Sequence, residues 1–209
     1  MLTVGDKLPA LKLAVQQGTS ALPAGETIDL GQTDGKWKVL FYWPKDFTFV
    51  CPTEIVGYGE LKGDFADRDA ELIGASTDTA HVHFAWRRSD EQLGQADFPW
   101  IADNKKELAE ALGILDKDEG VALRATFIVD PEGVIRFVSV NDLDVGRNPQ
   151  EVLRVLSRSQ GFLDWQAVVF SLLIIVVVLF LPRGLIQFAR SRARVTWRLL
   201  FRNLTEHRV

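Results

Sequence analysis

Hydrophobic positions along residues 1–160 follow two alternating patterns. Short apolar runs rich in β-branched and aromatic residues predict buried strands at 38–44, 70–77, 98–103 and in both halves of 125–140. Apolar residues that recur every three or four positions predict helices at 52–69, 80–93, 104–115 and 148–160. Because strands and helices alternate and a hairpin comes late, we predict an α/β three-layer domain with a central mixed sheet.

Local signals mark where some of these elements begin and end. The turn sequence Asp130-Pro-Glu-Gly133 predicts the hairpin inside 125–140. Asn148 is predicted to be the N-cap of the last helix, with Pro149 at its first helical position. Pro44 ends the strand at 38–44, and the next helix is predicted to begin near Cys51.

The end of the chain follows a different pattern. Residues 167–181 carry no charge, and the apolar stretch 162–181 has about the length of a bilayer crossing. Trp165 is placed like an interfacial aromatic residue, and a basic, partly apolar segment follows. We therefore predict two parts, a globular domain over 1–160 and a hydrophobic helix with a basic tail over 161–209.

Charge divides the chain in the same way. The formal net charge of −4 combines −9 over residues 1–160 with +5 over residues 161–209. The N-terminus lacks the basic and apolar regions of a signal peptide, which favours a cytoplasmic protein with membrane association through 162–181. Neither a Gly-rich phosphate loop nor a basic patch with interleaved aromatic residues is present, so no nucleic-acid partner is expected.

Cys51 is the single cysteine of the chain. It cannot form an intrachain disulfide, and one cysteine is too few for a metal site built on a cysteine cluster. A lone cysteine is often a small buried hydrophobe. At the start of a helix, however, unpaired N–H groups and the helix dipole lower the pKa of a thiol and make it a nucleophile. The position therefore leaves two interpretations, a packing residue and a reactive thiol.

The residues around Cys51 resemble a known family. The stretch PKDFTFVC fits the Pro-x-x-x-Thr-x-x-Cys signature of peroxiredoxins, and FTFVCPTE is similar to their alkyl hydroperoxide reductase C branch. The resemblance continues through STDTAHVHFAW, PWIADNKKELAEALGIL and ALRATFIVDPEGVIRFVSVNDLDVGRNPQEVLRVL, and it covers about residues 1–158. It implies a thioredoxin-like fold and reduction of hydrogen peroxide or organic hydroperoxides through a sulfenic acid, without a cofactor.

The resemblance also implies roles for individual residues. Cys51 is the peroxidatic nucleophile, Thr48 hydrogen-bonds the peroxide, and Arg124 holds the sulfur as thiolate and stabilises the charge on the leaving oxygen. Four further residues support the pocket: Pro44 shields it from water, Glu54 orients the arginines, Arg147 is a second arginine, and Trp86 packs nearby.

The chain departs from the family pattern in one respect. No second cysteine follows the matched region, so no resolving thiol can attack the sulfenic acid within the chain. The expected partner is an external thiol, namely thioredoxin, glutaredoxin or a low-molecular-weight thiol. The alternative is a redox sensor or holdase chaperone without efficient turnover. The resemblance further implies a homodimer or a ring of dimers.

Two remaining features leave choices open. His81 and His83 form a His-x-His pair without a third ligand, so we expect a structural or surface role and no metal. The tail resembles, over a short stretch, the end of branched-chain amino-acid ABC transporter permeases. It is interpreted as a membrane anchor, as a fused or frameshifted end without an evolved role, or as a helix packed against other subunits. A further alternative makes the whole chain a subunit of a membrane complex.

Overall fold

The computed structural model describes residues 1–19, 25–160 and 168–175. The chain divides into two compact units, Met1–Gln160 and Gly161–Val209. The strands of the first unit are β1 (Lys12–Gln16), β2 (Thr27–Asp29), β3 (Trp37–Tyr42), β4 (Ala70–Ser76), β5 (Trp100–Ala102), β6 (Leu115–Asp116), β7 (Val121–Ala122), β8 (Arg124–Val129) and β9 (Ile135–Asn141). Its helices are α1 (Cys51–Glu60), α2 (Lys62–Ala66), α3 (Ala80–Ser89), α4 (Glu91–Gln95), α5 (Glu107–Leu112) and α6 (Pro149–Ser159).

Seven strands form one mixed sheet in the order β2-β1-β5-β4-β3-β8-β9. The central strands β3, β4 and β5 are parallel, and β8 joins β3 in antiparallel register. The hairpin β8–β9 closes one side of the sheet, with Gly133 at φ +79° in its turn. The predicted α/β domain with a central mixed sheet is therefore confirmed.

Side chains of the central strands alternate between two apolar layers, as the period of a strand requires. On β3, Leu40 and Tyr42 belong to the layer that packs against α5, whereas Val39 and Phe41 belong to the other layer. This second layer receives α1, α3 and α6, and it contains Cys51. The sheet thus lies between two helical layers, and the cysteine sits at the edge of one of them.

Two predicted helices are broken into shorter ones. The helix predicted over 52–69 ends at Glu60, and α2 begins after Leu61, whose φ of −90° and ψ of 3° interrupt the helix. The helix predicted over 80–93 is divided by Asp90, which adopts an extended conformation. The Asp90 carboxylate accepts the N–H groups of Gln92 and Leu93, so it starts α4 as an N-cap.

Other boundaries follow the local chemistry. The Asn148 side chain accepts the N–H of Gln150 at 3.0 Å, which confirms it as the N-cap of α6. The helix predicted over 104–115 shortens to α5, because Lys106 and Gly113 lie at φ +64° and +74° on either side of it. Strands β1 and β2 were not predicted. They pair with each other, and β1 also pairs with β5, about 85 residues later in the chain.

The second unit is described only at residues 168–175, which form a helix with exposed apolar side chains. The predicted membrane segment 162–181 therefore lies largely outside the described residues. Within the parts of the chain that the structure describes, no helix has the length and apolar character needed to span a bilayer.

Candidate active site

Cys51 is the first residue of α1, at the end of the loop 43–50 that follows β3. Pro52 in the first turn favours a helix start here, because its fixed φ suits the helix and its missing N–H is not needed. The thiol therefore lies beside the unpaired N–H groups of the helix N-terminus. The predicted start of this helix near Cys51 agrees with the structure.

Arg124, the first residue of β8, faces the sulfur. Its Nη1 lies 3.4 Å from Cys51 Sγ and 2.8 Å from Glu54 Oε2. Its Nε donates to the carbonyl of Leu143 at 2.6 Å, which fixes the guanidinium plane. Only 4% of the Arg124 side chain is exposed. A buried guanidinium that donates to sulfur stabilises negative charge on that sulfur.

Glu54 connects the cysteine to two arginines. It lies one helical turn after Cys51, so both side chains project from the same face of α1. Its carboxylate accepts from Arg124 Nη1 and from three groups of Arg147: the backbone N–H at 2.6 Å, Nε at 3.2 Å and Nη2 at 3.0 Å. The Glu54 side chain is buried, so the carboxylate holds both guanidinium groups in fixed positions.

The charges of this cluster leave one positive charge unbalanced. Arg124 and Arg147 carry two guanidinium groups, and Glu54 supplies one carboxylate. All three side chains are at most 4% exposed, where an uncompensated charge costs several kcal/mol. A thiolate at Cys51 makes the cluster neutral. The arrangement is therefore suited to a negatively charged sulfur.

The hydrogen bonds of the Arg147 side chain go to groups other than the sulfur. Its Nη1 donates to the Ala125 carbonyl at 2.7 Å and to Thr126 Oγ1 at 3.3 Å. Its guanidinium carbon lies 5.6 Å from the centre of the Phe41 ring. Arg147 thus bridges α1 and β8, because it binds Glu54 on the helix and two residues of the strand.

The loop between β3 and α1 carries the remaining predicted residues. Pro44 is buried, and its carbonyl accepts the hydroxyl of Thr77 at 3.3 Å. Thr48 is half-buried, and its hydroxyl donates to the Lys45 carbonyl at 3.2 Å. The sequence predicts that the Thr48 hydroxyl hydrogen-bonds the peroxide. In the structure this hydroxyl donates to a backbone carbonyl of its own loop.

The sulfur is covered in this conformation. Cys51 has 0% exposed surface, whereas Phe49 is fully exposed and Phe47 is 59% exposed. The sulfur atom itself therefore has no surface open to solvent in the structure. The structure thus combines both interpretations of the sequence, because Cys51 is buried in an apolar layer and its sulfur also contacts Arg124.

Trp86 and the two histidines lie on α3. Trp86 is buried in the apolar layer that contains Cys51, with its ring 5.7 Å from that of Phe47. His81 is exposed, whereas His83 is buried, with Nδ1 2.7 Å from Asp46 Oδ2 and Nε2 3.1 Å from the Ile101 carbonyl. Among the described residues, no cluster of three metal-ligating side chains occurs.

Sequence reasoning missed the residues that hold the active-site loop. Asp46 lies inside the stretch PKDFTFVC but carries no role in the prediction, and Asp78 was not singled out. The only available signal was the His-x-His pair, whose second member contacts Asp46. Their contacts join positions more than thirty residues apart, which spacing along a chain does not show.

The thioredoxin-like fold, with a cysteine at the start of α1 and a buried arginine against its sulfur, defines a peroxiredoxin. The chain belongs to the AhpC/TSA family, whose sequence model matches residues 4–138. The predicted family and fold are both confirmed.

Individual relatives agree with this assignment. Alkyl hydroperoxide reductase C of Mycolicibacterium smegmatis is 48% identical over 169 residues, which cover 77% of this chain and 86% of that protein. Peroxiredoxin TSA1-B of Candida albicans is 45% identical over 138 residues, covering 65% of this chain and 70% of the relative. The solved structure of Enterococcus faecalis AhpC has a TM-score of 0.73 at 34% identity, covering 78% of this chain and 96% of that one. For Mycobacterium tuberculosis AhpC the TM-score is 0.71 at 46% identity, with 77% and 94% covered.

Proposed function

We propose that this chain is a thiol-dependent peroxidase that reduces hydrogen peroxide and organic hydroperoxides at Cys51. The thiolate sulfur attacks one oxygen of the O–O bond, and the bond breaks as sulfur and oxygen join. The sulfur is oxidised to a sulfenic acid, and the other oxygen takes a proton and leaves as water or an alcohol. The contact of 3.4 Å between Arg124 Nη1 and Cys51 Sγ carries this proposal, because it ties a fixed positive charge to the attacking sulfur.

Each polar residue of the site has a proposed role in this reaction. Arg124 keeps the sulfur negatively charged and stabilises the charge that develops on the leaving oxygen. Glu54 holds Arg124 against the sulfur, and Arg147 holds Glu54. The Thr48 hydroxyl binds the peroxide and orients its O–O bond towards Cys51.

Two apolar residues support the same site. Pro44 is buried at the start of the loop, where it keeps water away from the reacting atoms. Trp86 packs beneath Phe47, so it supports the loop from below. Both roles are structural, and neither side chain supplies a proton or a charge.

Recycling of the sulfenic acid requires a partner. The chain has a single cysteine, so the sulfenic acid must be reduced by an external thiol. The first thiol displaces water from the sulfenic acid and forms a mixed disulfide with Cys51. A second thiol then attacks the first one, so the two leave together as a disulfide and Cys51 is released as a thiol. Thioredoxin, glutaredoxin and low-molecular-weight thiols all supply this chemistry.

Assembly into a homodimer or a ring of dimers is also proposed. The sheet ends in the edge strand β9, whose residues are mostly half-buried. Exposed apolar side chains at Phe49, Val50 and Val145 lie in the two loops next to the site. An unpaired edge and exposed apolar residues are features that subunit contacts cover. We place the assembly in the cytoplasm.

A turnover assay tests the proposed reaction. The purified chain receives peroxide with glutathione, glutaredoxin or thioredoxin in turn, and peroxide loss is followed. We expect many peroxide molecules to be consumed per Cys51 with at least one of these reductants. Consumption of a single equivalent with every reductant would instead support the redox sensor, and no consumption would contradict both functions.

We propose that the tail, residues 161–209, anchors the chain to a membrane through its apolar stretch 162–181. The uncharged stretch 167–181 followed by a basic segment supports it. We expect the full chain to float with anionic vesicles in a density gradient and the chain ending at residue 160 to remain at the bottom. Equal behaviour of both forms would contradict an anchor and leave subunit packing or a tail without a role.

A further inference from the structure

Two loops at the carboxyl ends of neighbouring parallel strands hold each other through backbone groups. The loop after β3 meets the loop after β4, which begins at Thr77. Thr77 Oγ1 donates to the Pro44 carbonyl at 3.3 Å, and the Asp46 N–H donates to Asp78 Oδ2 at 2.8 Å. Asp78 Oδ2 also accepts the Ser76 hydroxyl at 3.0 Å, which orients this carboxylate.

The contact with Asp78 determines the orientation of one peptide group. The N–H of Asp46 and the carbonyl of Lys45 belong to the same planar trans peptide, so they point in opposite directions. Asp78 binds the N–H, and the carbonyl therefore points away from it. That carbonyl accepts the hydroxyl proton of Thr48 at 3.2 Å.

This hydrogen bond determines what Thr48 can offer a substrate. A hydroxyl has one proton to donate and two lone pairs that accept. Because the proton is engaged by Lys45, the free lone pairs of Oγ1 can only accept. A peroxide O–H is a hydrogen-bond donor, so Thr48 can bind the peroxide only by accepting this O–H. A hydroxyl free to rotate could instead donate to the thiolate and weaken it as a nucleophile.

Asp46 is fixed at its side chain as well. Its Oδ1 accepts from Trp43 Nε1 at 2.7 Å, and its Oδ2 lies 2.7 Å from Nδ1 of the buried His83. The next residue, Phe47, has φ +55°, which a bulky side chain adopts only when its surroundings impose it. The loop therefore has little freedom on the Asp46 side, and the Asp78 contact is the one that fixes the N–H of the Lys45–Asp46 peptide.

We propose that Asp78 is a positioning residue for peroxide reduction, which orients the Lys45–Asp46 peptide so that Thr48 presents a hydrogen-bond acceptor to the peroxide. The inference rests on the proposed peroxidase function and adds a residue that acts through Thr48. Asp78 itself touches neither the sulfur nor the arginines in the recorded contacts of the described residues.

The test compares Asp78→Ala with Asp90→Ala as a matched control. Asp90 is also a half-buried aspartate that accepts backbone N–H groups, but it caps α4 and does not contact the active-site loop. We expect Asp78→Ala to lower kcat/KM for hydrogen peroxide by about 10- to 100-fold, because small errors in orientation carry such costs. Asp90→Ala should stay within about twofold of the parent chain.

A double-mutant cycle with Thr48→Val separates positioning from general damage. If Asp78 acts through Thr48, Asp78→Ala has no further effect on kcat/KM in the Thr48→Val background. Equal additional losses in both backgrounds would overturn the proposal. Asp78→Asn keeps an oxygen that can accept the Asp46 N–H, so we expect it to recover most of the rate; a rate as low as that of Asp78→Ala would contradict the mechanism.

Alkylation of Cys51 by iodoacetamide provides an independent measurement. This reaction needs the thiolate but no acceptor at Thr48, so its rate should not change in Asp78→Ala. A parallel fall in alkylation and peroxide reduction would assign Asp78 to folding of the loop and contradict the proposal. Loss of peroxide reduction in the parent chain would contradict the proposed function, whereas a parent-like rate in Asp78→Ala would contradict the positioning role alone.

Discussion

Replacement of Cys51 by Ser is expected to abolish peroxide reduction while the fold is retained. The hydroxyl that replaces the thiol remains protonated at neutral pH and is a poor nucleophile for the O–O bond. Cys51 is the single cysteine, so no other side chain of the chain can form a sulfenic acid. Serine fits the same buried position and both arginines keep their contacts with Glu54, so the fold is retained, with a lower thermal unfolding midpoint because one buried positive charge stays unbalanced.

The measurement follows hydrogen peroxide consumption under the reductant that supports the parent chain. Circular dichroism and the thermal unfolding midpoint serve as controls for the fold. A sulfenic-acid reagent such as dimedone should label the parent chain once after peroxide and leave Cys51→Ser unlabelled. Peroxide turnover in the variant above the rate of the buffer would contradict the assignment of Cys51.

The features that could be predicted from the sequence are those with local causes. The start of α1 at Cys51-Pro52 and the N-cap at Asn148 depend on residues within one helical turn. The hairpin around Gly133 depends on a turn of four residues. Local signals also compete, however, and the prediction joined α3 and α4 because helical periodicity continued through Asp90. The capping bonds of Asp90 outweigh that periodicity.

The features that could not be predicted depend on distant partners. Strand β1 is short and is stabilised by pairing with β5, and no local sequence pattern predicts this pairing. Glu54 joins arginines 70 and 93 residues later in the chain. Family resemblance supplied that link, whereas spacing alone did not. The pair of Asp46 and His83 had no such support, so the histidine was assigned only a structural or surface role.

The second large effect is expected at Arg124. In Arg124→Ala the thiolate loses its closest positive group, and Glu54 keeps only Arg147. The cluster would then hold two negative charges and one positive charge in a buried site, which disfavours the thiolate. The transition state also loses a donor to the leaving oxygen. We expect kcat/KM for peroxide to fall by roughly 10²- to 10³-fold, the range found when one such donor is removed.

Two companion variants make this prediction specific. Arg136→Ala removes an arginine of β9 that pairs with Asp130 and is 51% exposed, so it should change the rate by less than about twofold. Arg124→Lys keeps the charge but cannot bind the Leu143 carbonyl, Glu54 and the sulfur with one planar group, so an intermediate rate is expected.

Stability must be measured beside the rate. Loss of one partner from a buried ion pair costs about 3–5 kcal/mol, so Arg124→Ala lowers the free energy of unfolding as well as the rate. Rates are therefore compared at a temperature where circular dichroism shows each variant folded. Adding Glu54→Gln to Arg124→Ala removes the surplus negative charge and should recover stability more than rate, since no donor returns to the sulfur. A folded Arg124→Ala with the parent's kcat/KM would show that the guanidinium beside Cys51 takes no part in the reaction.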